Sequence, residues 1–208
     1  MLTPAAYQAE TLFAVRPEDY GAQAEKLDLV QRAQGSLRWT GSWLSVTTSI
    51  DPRDAFELSP VQRGIVENLL GCRRQAGRHV IVADPKYVNL DLRITVCVSP
   101  NAFPAHVETM ILEALFGRPG ARSITGFFDP DNFTFGSPLR RGALEAAITA
   151  VDGVAAVMGI DIRIHGVTDF EPLDTLNFEV AADELIRLEN VGSRPERGSL
   201  QLTLTGGA

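Results

Sequence analysis

The stretch YVNLDLRITVCV, residues 87–98, is the segment that decides the fold this sequence predicts. Apolar side chains stand at every second position, and polar side chains stand between them. A period of two is typical of a β-strand that buries one face and wets the other. We expect the buried face to carry Val88, Leu90, Leu92, Ile94, Val96 and Val98, and the wet face Asn89, Asp91, Arg93 and Thr95.

The residues before this strand predict a helix, a hairpin, a second helix and a short strand. The first helix begins at Pro17, and LRWTGSW (37–43) is typical of a hairpin turn. Ser59 and Gln62 have the spacing of a capping box at the start of the second helix. Its predicted apolar stripe is Val61, Ile65, Leu69, Val66 and Leu70, and HVIVA (79–83) is the short strand.

The residues after the strand predict two more helices and three strands. FPAHVETMILEALFG (103–117) is a helix whose expected buried face is Phe103, Val107, Met110, Ile111, Ala114 and Leu115. Ser137 is the expected cap of the next helix. A strand follows with Val154, Ala156, Met158, Ile160, Ile162 and Ile164 on one face, and ELIRLEN (184–190) and SLQLTLTG (199–206) are the last two strands.

Together these elements predict an α+β fold of two small modules, each an antiparallel sheet with helices packed on one face. The ferredoxin-like or split βαβ arrangement fits this order of elements. We expect the first module to span residues 1–84 and the second residues 85–208, with a C-terminal β-hairpin closing the second.

Composition excludes several classes of function. Lys and Arg number 19 against 26 Asp and Glu, a net charge of −7, which disfavours nucleic-acid binding because that affinity comes largely from phosphate neutralisation. No apolar run is long enough for a membrane helix, and the start of the sequence lacks the pattern of a signal peptide. We therefore expect a protein made in the cytoplasm, without a membrane partner. Cys72 and Cys97 form no CxxC pair, which gives no support to a zinc or thioredoxin-like site.

No catalytic pattern stands out in the sequence. His79, His106 and His165 have no ligand-spaced neighbour, and no nucleophile elbow, P-loop or dinucleotide-binding glycine motif occurs. We therefore expect no catalytic residue, no cofactor and no bound metal, and a protein that is not an enzyme.

The most unusual stretch is GFFDPDNFTFG (126–136), which we name the aromatic loop. It holds four of the chain's ten Phe residues, Phe127, Phe128, Phe133 and Phe135, around Asp129, Pro130, Asp131 and Asn132. The acidic residues lack the ligand order and closing Glu of a calcium loop. Asp and Asn also stabilise turns through nearby backbone amides.

Two interpretations of the aromatic loop stay open. All four Phe side chains fold inward as local core, or some face outward into a protein partner. If some face outward, we expect Phe127 and Phe135 to point inward and Phe128 or Phe133 to point outward. A weaker candidate contact is the group Arg73, Arg74 and Arg78, which is either a solvated helix end or a contact for an acidic neighbour.

The run GFFDPDNFTFGSPL (126–139) resembles a signature of the baseplate J-like family of baseplate assembly proteins in contractile-tailed phages and injection systems. RPEDYGAQAEKLDLVQRAQGSLRWTGSW (16–43), RRQAGRHVIVADPKYVNLDLRITVCV (73–98) and LIRLENVGSRPERGSLQLTLTGG (185–207) are similar to further family stretches in the same order. Asp129 stands where the family has His, Ser137 where it has Gln, and Arg16 where it has Thr. The resemblance runs from about Phe13 onward and corresponds to the C-terminal portion of longer members.

The resemblance implies a structural role in a baseplate wedge. The expected partners are other wedge subunits, copies of the same chain, and proteins near the hub and sheath, assembled into a virion or injection particle. The aromatic loop and the three arginines are then the candidate interface. The alternative is a small ligand-binding or enzymatic α+β domain that uses the aromatic loop as a pocket lid.

Overall fold

The computed structural model describes residues 13–118, 125–174 and 176–208. The chain forms two compact units, which divide after Pro85. Each unit combines helices with a small sheet, so the predicted α+β class is confirmed. Among the described residues, no helix is long and apolar enough to cross a membrane.

The first unit contains two helices and a three-stranded sheet. Its elements are α1 (Pro17–Ala24), β1 (Val30–Trp39), β2 (Leu44–Pro52), α2 (Pro60–Arg73) and β3 (His79–Ala83). The strand order is β1-β2-β3, with β1 antiparallel and β3 parallel to β2. The sheet is therefore mixed rather than purely antiparallel as predicted.

Local sequence signals explain where these elements begin and turn. The predicted hairpin joins β1 to β2, and Gly41 at its tip has a φ of 94°, a conformation that glycine adopts without steric cost. The capping box is also confirmed. The amide of Gln62 donates to Ser59 Oγ at 3.3 Å, and the amide of Ser59 donates to Gln62 Oε1 at 2.9 Å.

Fewer apolar residues of α2 are buried in the core of the first unit than the sequence pattern predicts. Val66 and Leu70 of α2 are fully buried, but Val61 and Ile65 are 75% and 45% exposed, so the prediction that they are buried is wrong. One helix face suffices to cover a three-stranded sheet, and Val61 and Ile65 lie on the neighbouring face.

The second unit is built around the long strand β4 (Lys86–Val98). Two helices follow it, α3 (Pro104–Phe116) and α4 (Arg141–Thr149). The other strands are β5 (Leu139–Arg140), β6 (Val154–Ile164), β7 (Glu171–Pro172), β8 (Asn177–Phe178), β9 (Glu184–Arg187) and β10 (Ser199–Gly206). The main sheet has the order β10-β4-β6-β7, β9 also pairs with β4, and β5 pairs with β8.

The predicted closing β-hairpin is wrong, because β9 and β10 each pair in parallel with β4. β9 pairs with Lys86 to Asn89, and β10 pairs with Asp91 to Val98. The loop between them returns the chain to its original direction. Its ends are joined by hydrogen bonds from the amides of Glu189 and Asn190 to the carbonyl oxygens of Arg197 and Gly198, both at 3.2 Å.

The alternation predicted for β4 is confirmed on its apolar face. All six predicted residues are at most 8% exposed, and they belong to one core with residues of α3 and α4 such as Ile111, Leu115, Leu144 and Ile148. The opposite face carries the exposed Arg93, but Asp91 on that face is fully buried. The prediction of a wet face is therefore wrong at Asp91.

The strand β6 departs from its predicted alternation at Met158, which is 67% exposed. The register with β4 passes from Thr95↔Gly159 to Val96↔Val157, so Met158 is an extra residue in the ladder. Such a bulge changes the face on which the preceding side chains lie. Val157 consequently packs against the core in place of Met158.

Two predicted features of the helices are also wrong. Phe103 stands at the N-cap of α3 and is 72% exposed instead of buried. Ser137 does not cap α4, because Leu139 and Arg140 are extended and pair with Phe178 and Asn177 before the helix begins.

Candidate functional site

The aromatic loop caps the C-terminal end of α3. The amide of Phe127 donates to the carbonyl oxygen of Ala114 at 2.9 Å, and the amide of Phe128 donates to that of Leu115 at 2.8 Å. Carbonyls in the last turn of a helix have no partner within the helix, and these two bonds supply partners from the loop. The start of the loop is therefore fixed by backbone bonds to α3.

The polar residues of the loop form its central turn. Asp129 Oδ1 accepts a hydrogen bond from the amide of Asp131 at 3.1 Å, and Pro130–Asn132 make one turn of 3-10 helix. Asn132 Nδ2 donates to the carbonyl oxygens of Gly126 and Phe127 at 2.8 and 3.2 Å. The prediction that these side chains stabilise the turn through nearby backbone amides is confirmed for Asp129 and wrong for Asn132. Asn132 stabilises the loop by donating to carbonyls rather than by accepting from amides.

The prediction that Phe128 or Phe133 points outward is wrong. Phe128 is 4% and Phe133 is 7% exposed, and their rings stack with centroids 5.9 Å apart and planes at 13°. Phe128 also stacks on Phe116 of α3 at 5.9 Å. The hydrogen bond from the Phe128 amide to the carbonyl oxygen of Leu115 holds the backbone close to the end of α3. The ring of Phe128 is thereby directed into the core beneath that helix.

Phe127 and Phe135 keep part of their surface in solvent. Phe127 meets Phe128 and Phe133 edge to face, with centroids 5.1 and 5.9 Å away. Such pairs add about 0.5–1.5 kcal/mol beyond the burial of their area. The loop is therefore an aromatic cluster that belongs to the core of the second unit and exposes one flank.

The exposed flank borders a groove of about 450 Å³. Its wall is formed in part by Phe127, Asn132, Pro138, Arg140 and Ala143. Asn132, Arg140 and Ala143 are exposed, whereas Phe127 and Pro138 are half-buried. The groove combines an apolar wall with a polar and cationic rim, which is the make-up of many protein-binding surfaces.

The three candidate arginines lie in the first unit, at and just after the end of α2. Arg73 Nη1 donates to Gln23 Oε1, Arg74 Nη1 donates to the carbonyl oxygen of Arg78, and Arg78 Nε donates to Gln75 Oε1 at 3.2 Å. The Arg73 bond connects the end of α2 to α1, and the other two bonds close the turn that leads into β3. A contact between this group and an acidic neighbour stays a prediction.

The structure also contains a polar cluster that the sequence analysis missed, centred on the buried Asp91. Asp91 Oδ2 accepts a hydrogen bond from Arg163 Nε at 2.8 Å and lies 2.9 Å from His165 Nδ1. Asp91 Oδ1 accepts from the amide of Ser199 at 2.9 Å and from Ser199 Oγ at 2.7 Å. One carboxylate thus joins β4, β6 and β10.

Two opposing effects set the pKa of Asp91. Burial of the carboxylate favours its neutral form and by itself raises the pKa. The hydrogen bonds from Ser199, Arg163 and His165, with the charge of His165, outweigh burial and hold the pKa below its usual value. The Ser199 hydroxyl is bonded to Asp91 rather than to His165, so the cluster lacks the nucleophile–base contact of a Ser-His-Asp triad. Its geometry is that of a structural tie between strands.

The guanidinium groups beside Asp91 are held by an aromatic ring. Arg93 Cζ lies 3.8 Å and Arg163 Cζ 4.4 Å from the ring centroid of Phe170. Cation–π contacts of this kind contribute about 0.5–1 kcal/mol where they are exposed. No sequence pattern marks this cluster, because its members are scattered between positions 91 and 199, on β4, on β10 and in and after β6, without a fixed spacing. Among the described residues, no group of three or more His, Cys, Asp or Glu is placed to hold a metal ion.

Comparison with known proteins gives likenesses among solved structures but none among family models or curated proteins. A chain in the cryo-EM structure of the anti-feeding prophage (AFP) baseplate, 6-fold symmetrised, is similar over 86% of this chain, with 15% sequence identity and a TM-score of 0.47. The match covers 40% of that chain, so the present sequence corresponds to less than half of its length. At this level, the likeness carries no argument about function.

Proposed function

We propose that the chain is a structural component of the baseplate of a contractile tail or injection system. The observation that supports this proposal is the resemblance of residues 126–139 to the baseplate J-like signature, with three further stretches in the same order. In this role the chain contacts other wedge subunits, copies of itself and proteins near the hub and sheath. It acts by binding, and its destination is the assembled particle.

The groove beside the aromatic loop is the contact surface that we propose. The loop is fixed by backbone hydrogen bonds to α3 and by the hydrogen bonds of the Asn132 side chain. It therefore loses little conformational entropy when a partner binds. The exposed flank of Phe127 offers apolar area, and Arg140 offers a charged group at the rim. Aromatic side chains and arginine are enriched where interfaces bind most strongly.

Phe128 and Phe133 are unsuitable for testing this surface, because replacing a buried Phe by Ala costs about 3–5 kcal/mol and unfolds the loop. Ala143 is suitable, since it is an exposed helix residue in the groove wall. We expect Ala143→Arg to fill the groove without loss of stability. Ala146→Arg is the matched control, because Ala146 is exposed on the same helix and is not part of the groove wall.

The experiment is co-expression of the tagged protein with the products of its neighbouring genes, followed by size-exclusion chromatography and negative-stain microscopy. We expect the wild type and Ala146→Arg to join a larger complex, and Ala143→Arg to bind at least about tenfold more weakly. Failure of the wild type to enter any complex would contradict the proposed function. Equal binding by both variants would contradict the groove as the contact surface.

A ligand-binding role is the second candidate, and the observation that favours it is the size of the groove. Small-molecule sites measure roughly 300–1,000 Å³, which includes the groove at about 450 Å³. A thermal-shift screen of metabolites separates the two functions. A compound that stabilises the wild type and Ala146→Arg, but not Ala143→Arg, would favour ligand binding over a structural role.

A further inference from the structure

The hairpin that joins β1 to β2 extends past the elements that cover the rest of its sheet. The start of α1 packs against Gly35, where a Cβ would overlap the carbonyl oxygen of Pro17. Residues 36–43, which we name the hairpin arm, are all exposed. β3 pairs with β2 only from Ser45 to Ser49, so no third strand supports the arm. The residues of β1 beyond Gly35 give the arm a length of about 13 Å.

Both tryptophans of the chain lie on the hairpin arm. Trp39 is 68% and Trp43 is 65% exposed, and Leu37 beside them is 39% exposed. Trp39 pairs with Leu44, so the alternation of the strand places Trp43 on the opposite face of the arm. Exposed apolar surface of this kind marks a site that another molecule covers. Because a tryptophan stands on each face, that molecule has to enclose the arm from both sides.

The charge of the hairpin is opposite to that of the chain. No Asp or Glu occurs between Asp28 and Asp51, although the chain has 26 acidic residues against 19 basic ones. The same segment contains Arg32 and Arg38. Arg32 Nη1 lies 3.9 Å from Glu25 Oε1, whereas no described residue forms an ion pair or hydrogen bond with the side chain of Arg38. The arm therefore presents a positive charge that is available to a partner, beside the two tryptophans.

Three other kinds of occupant fit the arm less well. A sugar stacks on aromatic rings that share one face, but these two rings lie on opposite faces. Nucleic acid is repelled by the net charge of −7. A bilayer would have to accept the backbone polar groups of the turn at 40–42 before it reached the tryptophans, and hydrocarbon offers those groups no partner. A cleft in a protein can supply hydrogen-bond partners to the turn and apolar walls to both rings.

We propose that the hairpin arm inserts into an apolar cleft with an acidic rim on a different protein. The two tryptophans fill the cleft, and Arg38 pairs with a carboxylate at its rim. Tryptophan and arginine are enriched among the residues that contribute most of the binding energy of interfaces. The arm lies in the first unit, whereas the groove beside the aromatic loop lies in the second, so this is a second contact surface. Its partner is sought among baseplate components, and the inference therefore rests on the proposed function.

The tryptophans allow a direct test, since the chain has no others. Fluorotryptophan is incorporated into this protein alone, and fluorine NMR spectra are recorded before and after addition of the unlabelled, purified products of its neighbouring genes. In the free protein we expect two signals that respond to a change from ordinary to deuterated water. Both signals should shift when the complex forms and lose that response, because the cleft excludes water from both rings.

Charge reversal tests the acidic rim. Arg32→Glu is the matched control for Arg38→Glu, since both residues lie on the same face of β1 and the change in charge is equal. We expect Arg38→Glu to bind at least about tenfold more weakly and Arg32→Glu to bind like the wild type. Trp39→Ala and Trp43→Ala should each weaken binding and keep the melting temperature of the wild type, because both side chains are exposed.

The outcomes separate this proposal from the proposed function. If the wild type enters no complex, both are wrong. If a complex forms and the tryptophan signals stay unchanged, or if Arg38→Glu binds as tightly as Arg32→Glu, only the proposal for the arm is wrong. Signals that shift when the isolated protein is concentrated, or when it is mixed with vesicles of anionic phospholipid, would identify a second copy or a membrane as the occupant and would overturn the proposal.

Discussion

Replacement of Asp91 by Ala should destabilise the second unit more than any other single polar change on its sheet. Asp91 is fully buried and accepts hydrogen bonds from Arg163, from Ser199 twice, and from His165. Hydrogen bonds to charged groups contribute about 1.5–3 kcal/mol each, although they are not additive. Removing one partner of a buried ion pair costs about 3–5 kcal/mol. Because Arg163 and His165 are about one third exposed, water compensates them in part, and we expect roughly 3–4 kcal/mol.

Differential scanning calorimetry measures this loss. At about 4 °C per kcal/mol for a unit of this size, the transition of the second unit should move down by roughly 12–16 °C. Asp161→Ala is the matched control, since Asp161 on β6 lies on the same face of the sheet as Asp91 but is partly exposed. It should change stability by less than about 0.5 kcal/mol. Equal shifts for the two variants would refute the reasoning that Asp91 is the tie between the strands.

The same carboxylate gives the stability a defined pH dependence. Since the pKa of Asp91 is lowered in the folded state, its contribution is complete above the ordinary pKa of an aspartate, about 3.9. The contribution is lost as the pH falls through the lower folded-state pKa. The difference in stability between the wild type and Asp91→Ala should therefore shrink as the pH falls below about 4. A difference that grew below about pH 4 would contradict the sign of the shift.

Two further predictions concern the strands and the glycines. Leu92→Asp should lower the free energy of unfolding by more than about 4 kcal/mol, because Leu92 is fully buried. Arg93→Asp on the exposed face should lower it by about 1 kcal/mol. Equal losses in urea unfolding would contradict the alternation of β4. Gly35→Ala should destabilise the first unit strongly, since a Cβ there would overlap the carbonyl oxygen of Pro17. Gly64→Ala in α2 should stabilise by about 0.5–1 kcal/mol, because no described atom lies within 4 Å of its Cβ position; the same thermal scans check both signs.

Features that depend on neighbours in the sequence were predictable. The buried face of β4 follows from its period of two, and the start of α2 follows from Ser59 and Gln62, whose bonds are made within one turn. The turn role of Asp129 is local in the same way, because its carboxylate reaches an amide two residues away.

Features set by distant pairing were not predictable. Met158 has the pattern of a core residue, and only its bulge against β4 moves it into solvent. Phe128 and Phe133 are buried because the end of α3 holds the aromatic loop against the core, a contact that loop composition does not encode. In the sequence, Asp91 has the pattern of an exposed residue on the polar face of β4. Its burial depends on Arg163 of β6 and Ser199 of β10, which approach it only in the folded sheet.

The placement of β10 has a consequence for how the protein folds during synthesis. Ser199 meets Asp91 across 108 positions, whereas β1 and β2 are joined by a short turn. Contacts between distant positions close large loops and form slowly. The first unit can therefore complete its hairpin before β10 has been synthesised and paired with β4. During that interval the apolar face of β4 is incompletely covered, and a nascent chain in this state is the form most exposed to aggregation and to chaperone binding.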